Sequence, residues 1–113
     1  MSKSEPLKVS EFPLTPRSAR MLIKDLAENH TNRIKFSKHA RERLDDRDIT
    51  IQQVLCVLKS NSNRFHELPY MTESGDWKMN VEGIASGDSI RVPLVLKRHE
   101  DDPSVLIVTV INI

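Results

Sequence analysis

The hydrophobic period of this chain changes once. Before Asn63 the apolar residues recur at helical spacing, and after it they alternate. A helix buries a stripe and a half-buried strand buries every second residue, so one switch predicts helices first and antiparallel strands after. The two halves must then cover each other's apolar faces. This gives an α+β domain, with N-terminal helices on one face of an antiparallel sheet of about four strands.

The helical half carries its own punctuation. Thr15 can cap free amides and Pro16 suits a first turn, so a helix starts there. Ala19, Leu22, Ile23, Leu26 and Ala27 then keep helical spacing to about Asn29. Residues 1–14, mixed in charge and holding Pro6 and Pro13, read as an arm ahead of a domain spanning 15–113. Arg33 to Phe36 alternates and is short, so it is either a first strand or the lead into a helix. Ser37 reads as the N-cap of a second helix over Lys38–Arg47, with Ala40 and Leu44 on one stripe. Thr50 to Gln53 is a capping box. It opens a third helix whose Ile51, Val54, Leu55 and Leu58 face the core, and the polar cluster Ser60–Asn63 ends it.

In the second half Trp77, Met79 and Val81 alternate with Lys78, Asn80 and Glu82, as a half-buried strand does. Ser86-Gly87-Asp88 predicts a hairpin turn and Ile90–Arg98 the returning strand. Pro93 argues that part of this strand is edge-like or bulged. Glu100-Asp101-Asp102 reads as a solvated turn. Val105–Ile111 is nearly all apolar and β-branched, which predicts a central strand covered on both faces. Phe65–Met71 offers one more strand.

Charge and cysteine content narrow the function classes. Lys and Arg number 17 against 16 Asp and Glu, a formal charge of +1, which excludes a basic coat over the whole chain but not a local basic face. The lone Cys56 allows no intrachain disulfide and no multi-thiolate metal site. Within the apolar run Val54–Leu58 it reads as a buried, inert thiol suited to a reducing compartment. No apolar leader is visible and the longest apolar run is too short to span a bilayer, so a cytoplasmic protein without membrane contact is expected. No cofactor is expected. There is no glycine-rich phosphate loop, and His30, His39, His66 and His99 lack metal-ligand spacing.

The most informative stretch is Arg33–Arg47, with six basic and three acidic residues besides His39. On a helix His39, Arg43 and Arg47 project in one direction. Two guanidiniums beside an imidazole make a phosphate site: arginine contacts phosphate oxygens in a fork, and histidine exchanges a proton near neutral pH. A metal-independent ribonuclease needs these groups, to deprotonate a 2′-hydroxyl, stabilise the phosphorane and protonate the leaving 5′-oxygen. Lys38 and Arg41 add cations for a nucleic acid. Lys78 and Arg91, on strands, join them if the helix crosses that sheet face and otherwise face solvent. The plainer reading is an Arg/Asp lattice on a solvated helix face, with Arg43 and Arg47 paired to Asp46 or Asp48.

The pattern Ser37, His39, Ala40, Arg43, Leu44, Arg47, Ile49 and Thr50 resembles the His-Ala-x-x-Arg-Met/Leu-x-x-Arg-x-Ile signature of a bacterial family of small proteins of unknown function. That family is similar to the RelE/ParE toxin superfamily, which includes ribosome-dependent and free ribonucleases and gyrase poisons. The resemblance spans about residues 33–112. It implies a toxin-like fold, RNA cleavage, and RNA, a ribosome or a cognate antitoxin as partner. By the same resemblance Thr109 joins His39, Arg43 and Arg47 as a site residue. The chain departs from the signature at Asp48, where the family has glycine. It also lacks an aromatic after Thr109, and it adds the helix at Thr15–Asn29.

Three readings follow. The first is a toxin-like endoribonuclease centred on His39. The second is a non-catalytic module that docks a protein or nucleic acid on the basic helix. The third is a topology poison of the ParE kind, against which a histidine at the signature position argues.

Overall fold

The computed structural model describes residues 15–97 and 103–113. The expected arm at 1–14 and the expected turn Glu100–Asp102, with His99 and Arg98 beside it, lie outside the described residues. In chain order the elements are α1 (Pro16–Asn29), a 3-10 turn (Thr31–Arg33), β1 (Ile34–Phe36), α2 (Lys38–Arg47) and α3 (Ile51–Lys59). Then come β2 (Arg64–Met71), β3 (Trp77–Ala85), β4 (Asp88–Lys97), β5 (Ser104–Ile107) and β6 (Ile111–Asn112). Helices thus precede an antiparallel meander, and the class is α+β. None of the helices is long and apolar enough to cross a membrane.

Each helix starts on the residue chemistry that predicts it. The Thr15 hydroxyl accepts from Ser18 N–H (3.1 Å), and α1 buries Ala19, Leu22, Ile23, Leu26 and Ala27. In α3 the Thr50 hydroxyl accepts from Gln53 N–H (3.1 Å) and the Gln53 carbonyl oxygen accepts from Thr50 N–H (2.9 Å). The same Gln53 amide donates to the Ala85 carbonyl (3.1 Å) and the Asp88 carboxylate (2.8 Å), so the cap also fastens α3 to the β3–β4 hairpin.

Buried Asn63, where the hydrophobic period changes, joins both halves. Its amide donates to the Val57 and Leu58 carbonyls (2.6 and 3.3 Å) at the end of α3, and its oxygen accepts from Arg20 Nε on α1 (2.9 Å). A buried amide with its polar atoms engaged carries little desolvation penalty and fixes where strand geometry begins.

Two expectations for α3 fail. Cys56 is exposed, and Ile51 is 49% exposed. Val57 is buried instead. Cys56 lies opposite the Val54–Leu58 seam, and Ile51 opens the helix before it reaches the sheet. An all-apolar run does not say which of its sides is inward; packing against β3 does.

The sheet order is β1-β5-β4-β3-β2, with β6 paired to β4. Strands β2 to β5 form the expected antiparallel meander. The sheet is nonetheless mixed and six-stranded, because β1 lies parallel to β5 with Ile34 opposite Val105. The short segment before α2 is a strand because it satisfies the backbone groups along the outer edge of β5. One face of the sheet presents Trp77, Met79, Val81, Ile90, Val92, Leu94, Leu96, Val105 and Ile107 to the helices. Ser86 and Gly87 turn β3 into β4 with φ of 53° and 83°, as a two-residue hairpin loop requires.

Pro93 overturns a further expectation, that of one continuous closing strand. It is buried in β4, which has neighbours on both sides, yet at Pro93 the ladder on the β5 side is interrupted, locally edge-like as expected, and the closing segment is not one strand but β5, a gap and β6. The Pro93 carbonyl accepts from Val108 N–H (3.0 Å), but proline has no N–H to return. Regular pairing therefore stops after Ile107. The Val108 carbonyl accepts instead from the Ser37 hydroxyl (2.8 Å), whose oxygen also accepts from Ala40 N–H (3.0 Å) at the start of α2. One side chain thus caps α2 and supplies the donor that Pro93 lacks. Within β5, Val105 and Ile107 are buried and Leu106 is half-buried, so cover is complete on one face only.

Replacing Ser37 by Ala should cost about 1–3 kcal/mol in urea unfolding, because a cap and a partly buried carbonyl lose their partner together. At the other end of α2, Asp48 holds φ 54° and ψ 40°, the left-handed conformation that glycine takes without strain. Asp48→Gly should raise stability, by up to about 1 kcal/mol in the same measurement.

Candidate functional site

The signature residues gather where α2 meets the sheet. Ala40 and Leu44 are the buried stripe of this helix. At about 100° per residue His39, Arg43 and Arg47 follow one flank of that stripe, Arg41 and Asp45 follow the other, and Lys38 and Glu42 lie on the far side. His39, Lys38, Arg41 and Arg47 are exposed and Arg43 is half-buried. Among the described residues the side chains of Lys38, His39, Arg41 and Arg47 have no hydrogen-bond or ion-pair partner. Arg43 donates to the Asp46 carboxylate (2.8 Å), an exposed pair worth only about 0.3–0.5 kcal/mol. The bond from Ser37 to the Val108 carbonyl brings the start of α2 to the end of β5. His39 and Thr109 therefore stand, along the backbone, two residues and one residue from that junction. Thr109 is half-buried.

The other two predicted cations are not part of this group. Helix α2 packs against β1, at the far side of the sheet from β3. Lys78 and Arg91 point to the sheet face opposite the apolar one. Lys78 pairs across the strands with Tyr70 and Val95, and Arg91 with Glu82 and Ile111. The conditional expectation that they meet the His39 stripe fails, because α2 stays beside β1 and does not cross this face.

Arg91 instead belongs to a cluster that local sequence reading does not reveal. Arg64, Glu82 and Arg91 occupy one row across β2, β3 and β4. Glu82 is 6% exposed, and each of its oxygens accepts from one guanidinium, Arg64 Nε at 2.8 Å and Arg91 Nε at 3.1 Å. His66 Nδ1 lies 3.9 Å from the same carboxylate. In the alternating pattern of β3, Glu82 reads as an outward, solvated residue. Its partners lie 18 and 9 residues away, and only strand register brings them together. Bridging three strands explains why a carboxylate is buried here at all.

Hydrogen bonds from Arg64, then from Arg91, hold the Glu82 carboxyl below its ordinary value of 4.5; desolvation opposes them and loses. Among the described residues no three of His, Cys, Asp and Glu converge as a metal-holding group. Comparison with protein-family models, curated proteins and solved structures finds no match to this chain.

The sign of the pH dependence follows. A carboxyl with a lowered folded pKa binds fewer protons folded than unfolded, so its stabilisation is full above 4.5 and lost as pH falls through the folded value. Glu82→Gln should destabilise the protein at pH 7, where it leaves two arginines without their counter-charge. The gap to wild type should shrink as pH falls below 4.5, in urea titrations run at successive pH values.

Proposed function

We propose that this protein acts on RNA as a toxin-like domain of the RelE/ParE type, with its contact surface at the α2–β5 junction. One observation carries the reading: His39 and Arg47 are exposed on the flank that also holds Arg43, without partners among the described residues, and the His39 end of this flank starts at the Ser37–Val108 bond next to Thr109. Arg43 and Arg47 bind the phosphate, and Lys38 and Arg41, on other sides of α2, add cations for the rest of the nucleic acid. His39 exchanges the proton in cleavage by 2′-hydroxyl attack, a reaction that uses no metal. The fold supports this reading in outline. The helices cover one face of the β2–β5 meander, as expected of a RelE-like domain, although β1 and β6 enlarge the sheet. A cognate antitoxin and a cytoplasmic site of action belong to the same proposal.

The second reading, a binding module without catalysis, has an observation of its own. Arg43 is engaged by Asp46, and no carboxylate orients the His39 ring among the described residues. An acid–base histidine in most such centres is held by a third group.

Purified protein incubated with total bacterial RNA separates the two. The ribonuclease reading expects cleavage that His39→Ala reduces roughly 100-fold or more with unchanged thermal stability, since this side chain is exposed. Intact RNA that is retained at low salt, and released by Arg47→Gln or by added salt, supports the binding module. RNA neither cut, free or on ribosomes, nor retained overturns the ribonuclease reading and the nucleic-acid form of the module, and leaves a protein as the docked partner.

A further inference from the structure

A cleft of about 330 Å³ opens on the sheet face away from the helices, beside the buried carboxylate. Arg64 and Glu82 form one wall, Ser62 and Ser89 contribute hydroxyls, and Ile84 and Ile113 complete the lining. We propose that this cleft binds a phosphate ester of mononucleotide size, with the phosphate on Arg64 and the base against the two isoleucines. The site is separate from the α2–β5 junction and does not depend on that reading.

Three features carry the inference. The first is charge. Glu82 is shared by two guanidiniums, so the Arg64–Glu82–Arg91 row keeps one net positive charge, and it draws an anion. The second is preorganisation. The Arg64 side chain is 79% exposed yet tethered through Nε, and its terminal nitrogens have no protein partner among the described residues. A guanidinium held this way loses less side-chain freedom when it forks a phosphate than a free surface arginine does. The third is the opposite wall. Ile84 is 71% exposed and Ile113 49%, large apolar groups left in water beside the charge. An amphipathic ligand with an anionic end and a flat apolar end satisfies both walls, and the volume suits one nucleotide. Arg91 braces Glu82 from the far side and acts here as a positioning residue.

The test is an NMR titration that follows backbone amides together with the arginine Nε–H signals. Adenosine monophosphate should shift Arg64 Nε–H and the amides of Gly83, Ser89 and Ile113 along one saturating curve. Inorganic phosphate and adenosine, each matching one wall, should bind about tenfold more weakly or worse. Arg64→Gln should weaken adenosine monophosphate about tenfold, since the forked contact to a charged ligand is lost; it also takes a partner from the buried Glu82 and lowers stability, so affinity is read under conditions where the amide spectrum shows the variant folded. Arg47→Gln should leave the cleft shifts in place, which keeps this site distinct from the helix. A 5′-phosphorylated trinucleotide identifies the source. Tighter binding than adenosine monophosphate marks the end of an RNA chain as the ligand, and equal or weaker binding marks a free nucleotide. No shift at the cleft residues at tens of millimolar adenosine monophosphate overturns the proposal, as do shifts that survive Arg64→Gln at full affinity.

Discussion

The three-way contact among Ser37, Val108 and Pro93 holds the two halves of the molecule in register. A proline in a strand with neighbours on both sides leaves one ladder position without a donor. The neighbouring carbonyl, on Val108, must then find another partner or remain unsatisfied at a cost of about 1–3 kcal/mol. Ser37 provides that partner at 2.8 Å while its oxygen caps α2. The start of a helix is thereby fixed to the end of a strand 71 residues away. The interruption also lets the chain leave β5 and rejoin β4 as β6, so the closing apolar segment bends at Val108–Val110.

Cations are treated in two opposite ways in this fold. On the sheet, Arg64 and Arg91 converge on a buried carboxylate that ties β2, β3 and β4 together. Along α2, Lys38, Arg41 and Arg47 stand in solvent, and acidic neighbours on the same helix come no closer than the Arg43–Asp46 pair. The first arrangement works within the protein and is weakly sensitive to salt, because the carboxylate is buried. The second is screened within about 10 Å at ordinary ionic strength and faces outward. An external polyanion is the partner such a surface fits. The cleft beside Glu82 combines the two habits: it borrows a tethered guanidinium from the internal cluster and presents it to solvent next to exposed apolar groups.

Local chemistry was enough to read the helix starts, the core stripe of α1, the hairpin turn at Ser86-Gly87 and the placing of all three helices before the antiparallel meander. Thr15, Ser37 and Thr50 all cap with their neighbours three residues on, and bonds of that span are written in adjacent residues. The turn after α2 has the left-handed backbone at Asp48, the position where the signature has glycine. A short polar side chain tolerates that conformation at a modest cost.

Periodicity stops short where a segment is uniformly apolar or where partners are distant. The run Val54–Leu58 has no polar side to mark its outward face, so packing alone put Cys56 in solvent and Val57 in the core. The parallel pairing of β1 with β5, the break after Ile107 and the Arg64–Glu82–Arg91 row all depend on residues far apart in sequence. By itself the sequence determined the elements, their caps and the stripe of His39, Arg43 and Arg47, because these are set within a few residues along the chain. Tertiary structure decided which cations stand free, which share a buried carboxylate and where a cleft opens, because register and burial arise only when distant segments pack.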